Sequence, residues 1–227
     1  MDEISDIQIP EIIPVMTLQE TVLFPHAVLP LFIFEPRYRQ MLSDVLGSNR
    51  LFAVFNECPS DPDDGHEEPP EQMGTVGIVR AAHRNPDGTS NLALQGLTRV
   101  RLLEIVQEAP YRLIRVATCQ DEEESEDSLQ IQRENILELI TKRPQLTRGL
   151  PEEYVKFICS LDNPGPFIDV AVHSICHDAR VKQQLLETLS LSQRFSCFQR
   201  FLNGECRRLD LFRRLQGRTR DDEIDLN

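Results

Sequence analysis

The sequence predicts an α+β protein whose first half forms a β-barrel of short antiparallel strands and whose second half forms a helical bundle. Short runs rich in β-branched residues, separated by turn residues, fill residues 12 to about 119. Beyond an acidic segment at 119–127, apolar residues recur at the three- and four-residue steps of α-helices. One further helix, beginning at Pro36, is inserted among the strands.

Eight β-strands are predicted in the first half. The segment 85–88, Asn-Pro-Asp-Gly, lies between two of them and is typical of a hairpin turn, because proline fixes φ and glycine accepts a positive φ. Closing many short strands on themselves removes exposed sheet edges, so a closed or half-closed antiparallel barrel is predicted. The predicted strands are 13–18, 22–24, 28–34, 51–55, 76–83, 91–94, 99–106 and 113–118.

Residues 21–42 predict a strand that leads directly into a helix. Apolar residues occupy both alternating faces of 28–34, which predicts a strand covered on both sides, with Pro30 at an end or an edge of the sheet. After Glu35 the spacing becomes helical, since Pro36 suits a first helical turn and Gly47 suits a helix end. The predicted buried face of this helix comprises Tyr38, Met41, Leu42 and Val45.

Five helices are predicted in the second half, at 128–142, 151–161, 166–177, 178–189 with Asp178 as its cap, and from Ser192 to about 215. The last is the longest and carries a continuous apolar stripe. The predicted organisation is therefore a barrel at 1–118 with a flexible acidic loop at 57–72, an acidic linker at 119–127, a helical bundle at 128–217, and a polar tail at 218–227.

The formal net charge of −13 argues against a function dominated by contacts with phosphate groups. Two acidic runs account for all of it: 57–71 has seven acidic residues and 121–127 has six, and neither run contains a basic residue. Solvated loops are the simplest interpretation of both. The sequence shows no basic leader, no apolar run long enough for a membrane span and no CxxC pair, so we expect a cytoplasmic protein with reduced, inert cysteines.

The sequence predicts neither an enzyme nor a cofactor. None of the three lysines follows a glycine, so no P-loop is present, and no GxSxG motif marks a hydrolase. Ser90 follows the predicted hairpin turn at 85–88, nothing nearby in sequence supplies a lysine base, and an unactivated serine is a poor nucleophile.

Asp169, His173 and His177 recur every four residues beside Cys176 and form a candidate metal site. Ser174 stands where an HExxH motif has glutamate, and Asp169 lies two helical turns from His177. Polar helix positions with ordinary hydrogen bonds are the preferred interpretation, and no metal is predicted.

Two groups of arginines leave two interpretations open, structural charge compensation or contact with an anion or partner. One is Arg99 and Arg101 on one strand face. The other lies near the end of the chain, at positions 207, 208, 213, 214, 218 and 220.

The strand-to-helix segment resembles the N-terminal domain of Lon proteases, which carries a pattern of the type LFPxxxLPLxIFExRY; here it is Leu23-Phe24-Pro25 through Glu35, Arg37 and Tyr38. Further similar segments follow in family order: 74–78, the hairpin at 86–88, 96–102 and 110–111. The resemblance spans about residues 13 to 215. It implies a PUA-like β-barrel with a helical bundle, in a stand-alone form without ATPase and peptidase modules.

The resemblance also implies recognition of unfolded or damaged polypeptide, with a separate protease or chaperone as a further partner. The leading prediction is a non-catalytic polypeptide-binding module with an apolar cleft between or beside barrel and bundle. An RNA-binding barrel is the alternative, made less favourable by the charge, and an undetected hydrolase is a remote one. No membrane contact and no oligomeric state is predicted. The predicted binding residues are Phe24, His26, Phe34, Glu35, Arg37 and Tyr38.

Overall fold

A computed structural model describes residues 7–58, 69–122 and 124–222, with side chains described as far as residue 215 except at 214. The strands are β1 Ile12–Leu18, β2 Val28–Ile33, β3 Leu51–Asn56, β4 Met73–Arg84, β5 Ser90–Gln107 and β6 Leu113–Cys119. The α-helices are α1 Pro36–Leu46, α2 Glu126–Lys142, α3 Glu152–Cys159, α4 Pro164–Ile175, α5 Ala179–Glu187 and α6 Leu191–Asp222. A 3-10 turn at Pro144–Thr147, which the sequence did not predict, follows α2.

The strands form one mixed sheet in the order β2-β5-β4-β3-β1-β6, and a second pairing of β5 with β6 closes β1, β3, β4, β5 and β6 into a barrel. Closure confirms the predicted α+β architecture. One pair departs from the antiparallel prediction: β1 and β3 are parallel. The connection between them contains β2 and α1, which is long enough for the crossover that a parallel pair requires. The barrel interior is apolar and contains Ile13, Val15, Leu51, Ala53, Phe55, Val76, Val100, Ile114 and Val116.

β5 is one strand of 18 residues where the sequence predicted two. Its first part pairs with β2 and its last part with β6. The strand changes partner near Gly96, where the sequence suggested a break. Gly96 is needed there for close approach, because an added Cβ would lie 2.1 Å from the carbonyl oxygen of Phe24. The backbone N–H of His26 donates a hydrogen bond to the carbonyl of Gly96 at 2.9 Å. The predicted strand 22–24 does not form and lies outside the sheet.

β2 is the strand at the open end of the sheet order, as Pro30 indicated. The prediction that it is covered on both faces is wrong. Ile33 is buried and Leu29 and Leu31 are half-buried, whereas the alternate residues are exposed. A continuous apolar run cannot tell a strand covered on two sides from an edge strand that presents apolar residues to solvent.

α1 forms as predicted. Pro36 occupies its first turn, Gly47 follows its end, and its buried residues are Tyr38, Met41, Leu42 and Val45. The Tyr38 hydroxyl donates a hydrogen bond to the carbonyl of Thr17 at 3.3 Å. α1 is therefore anchored through the face that the helical spacing predicts.

The second half is helical, as predicted, and its last helix is the longest. The Asp178 carboxylate accepts hydrogen bonds from the backbone N–H of Arg180 and Val181 at 2.9 and 3.1 Å, confirming the predicted cap of α5. α4 ends at Ile175, two residues earlier than predicted. α6 continues to Asp222 rather than ending near Gly217.

The chain divides into two units that are not contiguous in sequence. The first contains the described residues of Met1–Glu122 together with Asp169–Leu189, and the second those of Glu123–Ile168 with Ser190–Asn227. This differs from the expected division into 1–118 and 128–217, because residues 169–189 group with the strands. Within the first unit, the Gln183 side chain donates to the carbonyl of Met73 at 3.0 Å.

The acidic loop predicted at 57–72 is described only at its base. Cys58 N–H donates to the carbonyl of Pro69 at 2.7 Å, and Glu57 forms an antiparallel bridge with Pro70. Residues 59–68, which hold most of its acids, lie outside the described residues, as do Glu123 of the predicted linker and 223–227 of the predicted tail. Over the part of the chain that is described, no helix has both the length and the apolar character needed to cross a membrane.

Candidate functional site

An apolar stripe runs along the exposed face of β2. It consists of Val28, Pro30, Phe32 and Phe34, and we call it the edge-strand ridge. The two phenylalanines are 55% and 59% exposed, and their rings stack at 6.0 Å between centroids. Adjacent exposed aromatic side chains are uncommon on a protein surface and mark a candidate interaction site.

The backbone of β2 adds a second feature to this surface. β2 pairs antiparallel with β5 from Val28 opposite Gln95 to Ile33 opposite Ser90, and it pairs with no other strand among the described residues. An edge strand presents backbone N–H and C=O groups on which a further strand can form. Pro30 lacks an N–H group, which limits but does not abolish this capacity.

Charged residues border the ridge where β2 leads into α1. The Arg37 guanidinium contacts the Glu35 carboxylate at 2.8 Å and lies 4.6 Å from the centroid of the Tyr38 ring. Both charged side chains are half-exposed, so the ion pair itself adds little stability. It places a positive and a negative group directly after Phe34.

Two of the predicted binding residues are core residues. Phe24 is fully buried, with the His173 ring against its edge at 6.5 Å and the Arg99 guanidinium 5.7 Å from its centroid. Tyr38 is also buried and bonds Thr17. Neither presents a surface to a ligand, because the aromatic character that suggested binding serves packing here.

His26 lies in the turn before β2. Its φ of +63° is unusual for a residue with a side chain, and its backbone bond to Gly96 fixes the turn. Partial desolvation of the ring lowers the pKa of His26 below 6.5, opposed by the carboxylate of Asp169. The imidazole is therefore mainly neutral at pH 7.

Arg99 and Asp169, two residues of open interpretation in the sequence, are bound to each other. Two guanidinium nitrogens lie 2.6 and 2.9 Å from the two carboxylate oxygens, and Nε donates to the carbonyl of Leu186 at 3.0 Å. Burial alone would lower the pKa of Arg99, but the Asp169 carboxylate outweighs it and the pKa is raised. Arg99 is thus a structural residue. Arg101, by contrast, is exposed.

The Arg99–Asp169 ion pair argues against the candidate metal site at Asp169, His173 and His177. Asp169 is occupied by Arg99, and His177 lies beyond the end of α4, so the three residues do not share one helix. His173 is half-buried, and no described residue forms a hydrogen bond with its buried Nδ1 atom. Among the described residues, no group of three or more metal-binding side chains is assembled.

The ridge thus keeps Phe34, Glu35 and Arg37 of the predicted residues together and adds Val28, Pro30 and Phe32. The signal for these three was the continuous apolar run of 28–34. It was assigned to burial because the sequence does not show which strands cover which faces.

The comparisons with known proteins agree with this fold. A family model described as the ATP-dependent protease La (LON) substrate-binding domain matches residues 12–204. The chain belongs to this family. The resemblance drawn from the residues of the strand-to-helix segment is therefore confirmed, over nearly the same range.

The chain is similar to the Lon protease of Dictyoglomus thermophilum, with 28% identity over 218 residues, which cover 94% of this chain and 27% of that protein. Lon protease 2 of Myxococcus xanthus is 28% identical over 196 residues, covering 86% and 24%. The chain thus spans about a quarter of the length of these relatives.

Two solved structures of Lon N-terminal domains share the fold. The N-terminal domain of a Mycobacterium avium complex Lon protease matches with a TM-score of 0.65 at 15% identity, over 85% of this chain and 98% of that one. The Lon N-terminal domain protein from Xanthomonas campestris matches with a TM-score of 0.56 at 20% identity, over 82% and 95%.

Proposed function

We propose that this chain is a non-catalytic polypeptide-binding module that recognises extended apolar segments of unfolded or damaged proteins through the edge-strand ridge. The observation that carries the proposal is the exposed pair Phe32 and Phe34 on a strand whose second edge pairs with no described strand. Membership of a family described as substrate-binding supports the same function.

An extended polypeptide would bind by adding a strand to β2. Backbone hydrogen bonds along the free edge are independent of sequence, as a receptor for diverse unfolded chains requires. Alternate side chains of the added strand point to one face, where Val28, Phe32 and Phe34 lie exposed. The Glu35 and Arg37 pair would then favour neighbouring charged residues over a wholly apolar peptide.

The expected affinity is modest. Fully burying a phenylalanine contributes roughly 1.5–3 kcal/mol, and these two rings are already partly buried. Association and ordering of the peptide cost at least about 4 kcal/mol. Weak, rapidly reversible binding suits a module that passes polypeptide to a separate protease or chaperone, which is part of the proposal because the curated relatives carry the name Lon protease.

RNA binding is the second candidate, because a stacked aromatic pair on a sheet face can also receive unpaired bases. The net charge of −13 makes it the weaker one. A labelled single-stranded RNA oligonucleotide therefore belongs in the same binding assay.

The test is a fluorescence-anisotropy titration of a labelled, permanently unfolded polypeptide, reduced and carboxymethylated α-lactalbumin. The double variant Phe32→Ser/Phe34→Ser should bind about tenfold more weakly, because two anchors of the kind that dominate interfaces are lost. Its melting temperature should change little, since both rings are more than half exposed.

The matched control is Leu103→Ser/Ile131→Ser, which removes two apolar side chains that are 55% and 61% exposed outside the ridge. This variant should bind like the wild type. Equal binding by both double variants would contradict the ridge as the site, and RNA binding that is lost only in Phe32→Ser/Phe34→Ser would favour the second candidate.

A further inference from the structure

A cavity of about 580 Å³ separates α1 from the hairpin that joins β4 to β5. It does not belong to the edge-strand ridge. In the sheet, Ser90 of β5 pairs with Arg84 of β4 on one side and with Ile33 of β2 on the other. Ile33 points inward, and paired residues lie on the same face, so the cavity lies on the covered face of the sheet. Its polar lining includes Arg39, Gln40 and Ser43 of α1.

The lining is positively charged in a protein that is otherwise acidic. Arg39 and Arg84 both line the cavity. Among the described residues no acidic side chain lines it, and neither arginine forms an ion pair. The nearby Asp87 carboxylate accepts hydrogen bonds from the hydroxyl and N–H of Thr89 at 2.7 and 2.9 Å. These bonds, with a smaller contribution from Arg39, lower the pKa of Asp87.

The Arg39 guanidinium lies against the α-carbon of Gly88, at the cavity wall. The glycine's φ of +83° is required by the turn, and a Cβ added to it would lie 2.0 Å from an Arg39 nitrogen. The guanidinium therefore rests against the bare α-carbon, a position that any other residue at 88 would block. The glycine thus leaves room for the positive charge of Arg39 beside the cavity.

Ser90 supplies a second observation that points to a ligand. It lines the cavity and is only 8% exposed, and no described residue forms a hydrogen bond with its hydroxyl. A hydroxyl that lines a cavity and has no described protein partner is available to donate a hydrogen bond to an acceptor bound there. No histidine, lysine or carboxylate lines the cavity, so nothing there activates Ser90 as a nucleophile.

We propose that this cavity binds a carboxylate group of the recognised polypeptide, held by Arg39, Arg84 and the Ser90 hydroxyl. Guanidinium groups form strong paired hydrogen bonds with carboxylates. Leu42, Leu46 and Ala82 line the remaining wall and suit the aliphatic carbon next to the carboxylate better than a free phosphate. The inference rests on the proposed function, and a polypeptide carboxylate has two sources: a chain terminus or an acidic side chain.

The test uses small probes, so that it does not depend on polypeptide binding at the ridge. N-acetylleucine, N-acetylleucinamide, N-acetylglutamic acid α-amide and inorganic phosphate are titrated into the full chain labelled with ¹⁵N, and backbone and arginine side-chain resonances are followed. N-acetylleucine should shift resonances of Arg39, Arg84 and Ser90, whereas its amide should not. A response to the glutamate compound identifies the side-chain source, and a response to N-acetylleucine alone identifies the terminus.

Arg39→Gln/Arg84→Gln should abolish the shifts, while Arg101→Gln/Arg207→Gln, which removes the same charge at exposed arginines without described partners, should retain them. In anisotropy, a peptide with a free terminus or an acidic residue should bind the cavity variant about tenfold more weakly, as loss of charge-assisted hydrogen bonds predicts. Equal shifts with the amide, persistence of the shifts in the cavity variant, or tighter binding of phosphate would overturn the proposal. If unfolded polypeptide does not bind at the ridge but the NMR shifts with N-acetylleucine are present, only the proposed function is contradicted.

Discussion

Arg99 and Asp169 show how single residues hold together parts of the first unit that are far apart in sequence. The two side chains are 3% and 2% exposed and are separated by 70 positions. Two guanidinium–carboxylate contacts and a bond to Leu186 satisfy groups that would be costly to bury alone. The pair therefore ties β5 to α4 and to the end of α5.

Removing one partner should be far more harmful than removing both. Asp169→Ala should lower the free energy of unfolding by about 3–5 kcal/mol, because the buried guanidinium loses both short contacts and keeps only the more distant Asp121 carboxylate, at 3.6 Å. Arg99→Met/Asp169→Leu should recover much of this loss, since no charge then remains in the interior. Urea denaturation measures both, and a loss below about 1 kcal/mol for Asp169→Ala would show that water reaches the site.

His173 should make the fold sensitive to acid. Burial, with a contribution from Lys182, lowers its pKa from 6.5 to about 4, while the carbonyls of Val22 and Val28 act in the opposite direction. Between these two values the unfolded chain binds a proton that the folded chain does not. The stability tied to neutral His173 is thus complete above pH 6.5 and is lost as the pH falls towards 4.

The difference between the two pKa values corresponds to about 3 kcal/mol. We expect His173→Gln to lose less stability than the wild type between pH 7 and pH 4.5, by about 2 kcal/mol, in urea unfolding at each pH. Identical losses in the two proteins would show that other groups cause the acid sensitivity.

At the scale of elements, sequence patterns between neighbouring residues predicted helices correctly, whereas strand pairing between distant segments was not predictable. The bounds and buried face of α1 and the cap at Asp178 were predictable, because helical spacing and capping depend on neighbours in sequence. The parallel pairing of β1 with β3 and the single long β5 were not, since both depend on partners distant in sequence.

The same distinction explains the candidate site. Phe34 and Phe24 lie ten positions apart in apolar segments, yet one is 59% exposed and the other fully buried. Their exposure depends on β2 ending the sheet and on the close approach at Gly96, neither of which a local pattern contains. Charged neighbours at the ridge were predictable from sequence, whereas its apolar centre at Phe32 was not.

At the scale of the molecule, the chain leaves the first unit after Glu122, builds most of the second, and returns for Asp169–Leu189. A boundary read along the sequence cannot show such a return, because the helical period of α4 and α5 carries no information about the strands they join. The ridge and the carboxylate cavity both belong to the first unit. We therefore expect that unit to carry polypeptide recognition.

The central claim is that an extended polypeptide forms a strand on the free edge of β2. Hydrogen exchange of the full chain, followed by NMR with and without saturating carboxymethylated α-lactalbumin, tests it most directly. We expect the bound polypeptide to slow exchange of the β2 backbone amides that do not bond β5. Exchange of the α2 amides around Ile131 should be unchanged. Saturated binding that leaves every β2 amide exchanging at its original rate would contradict it.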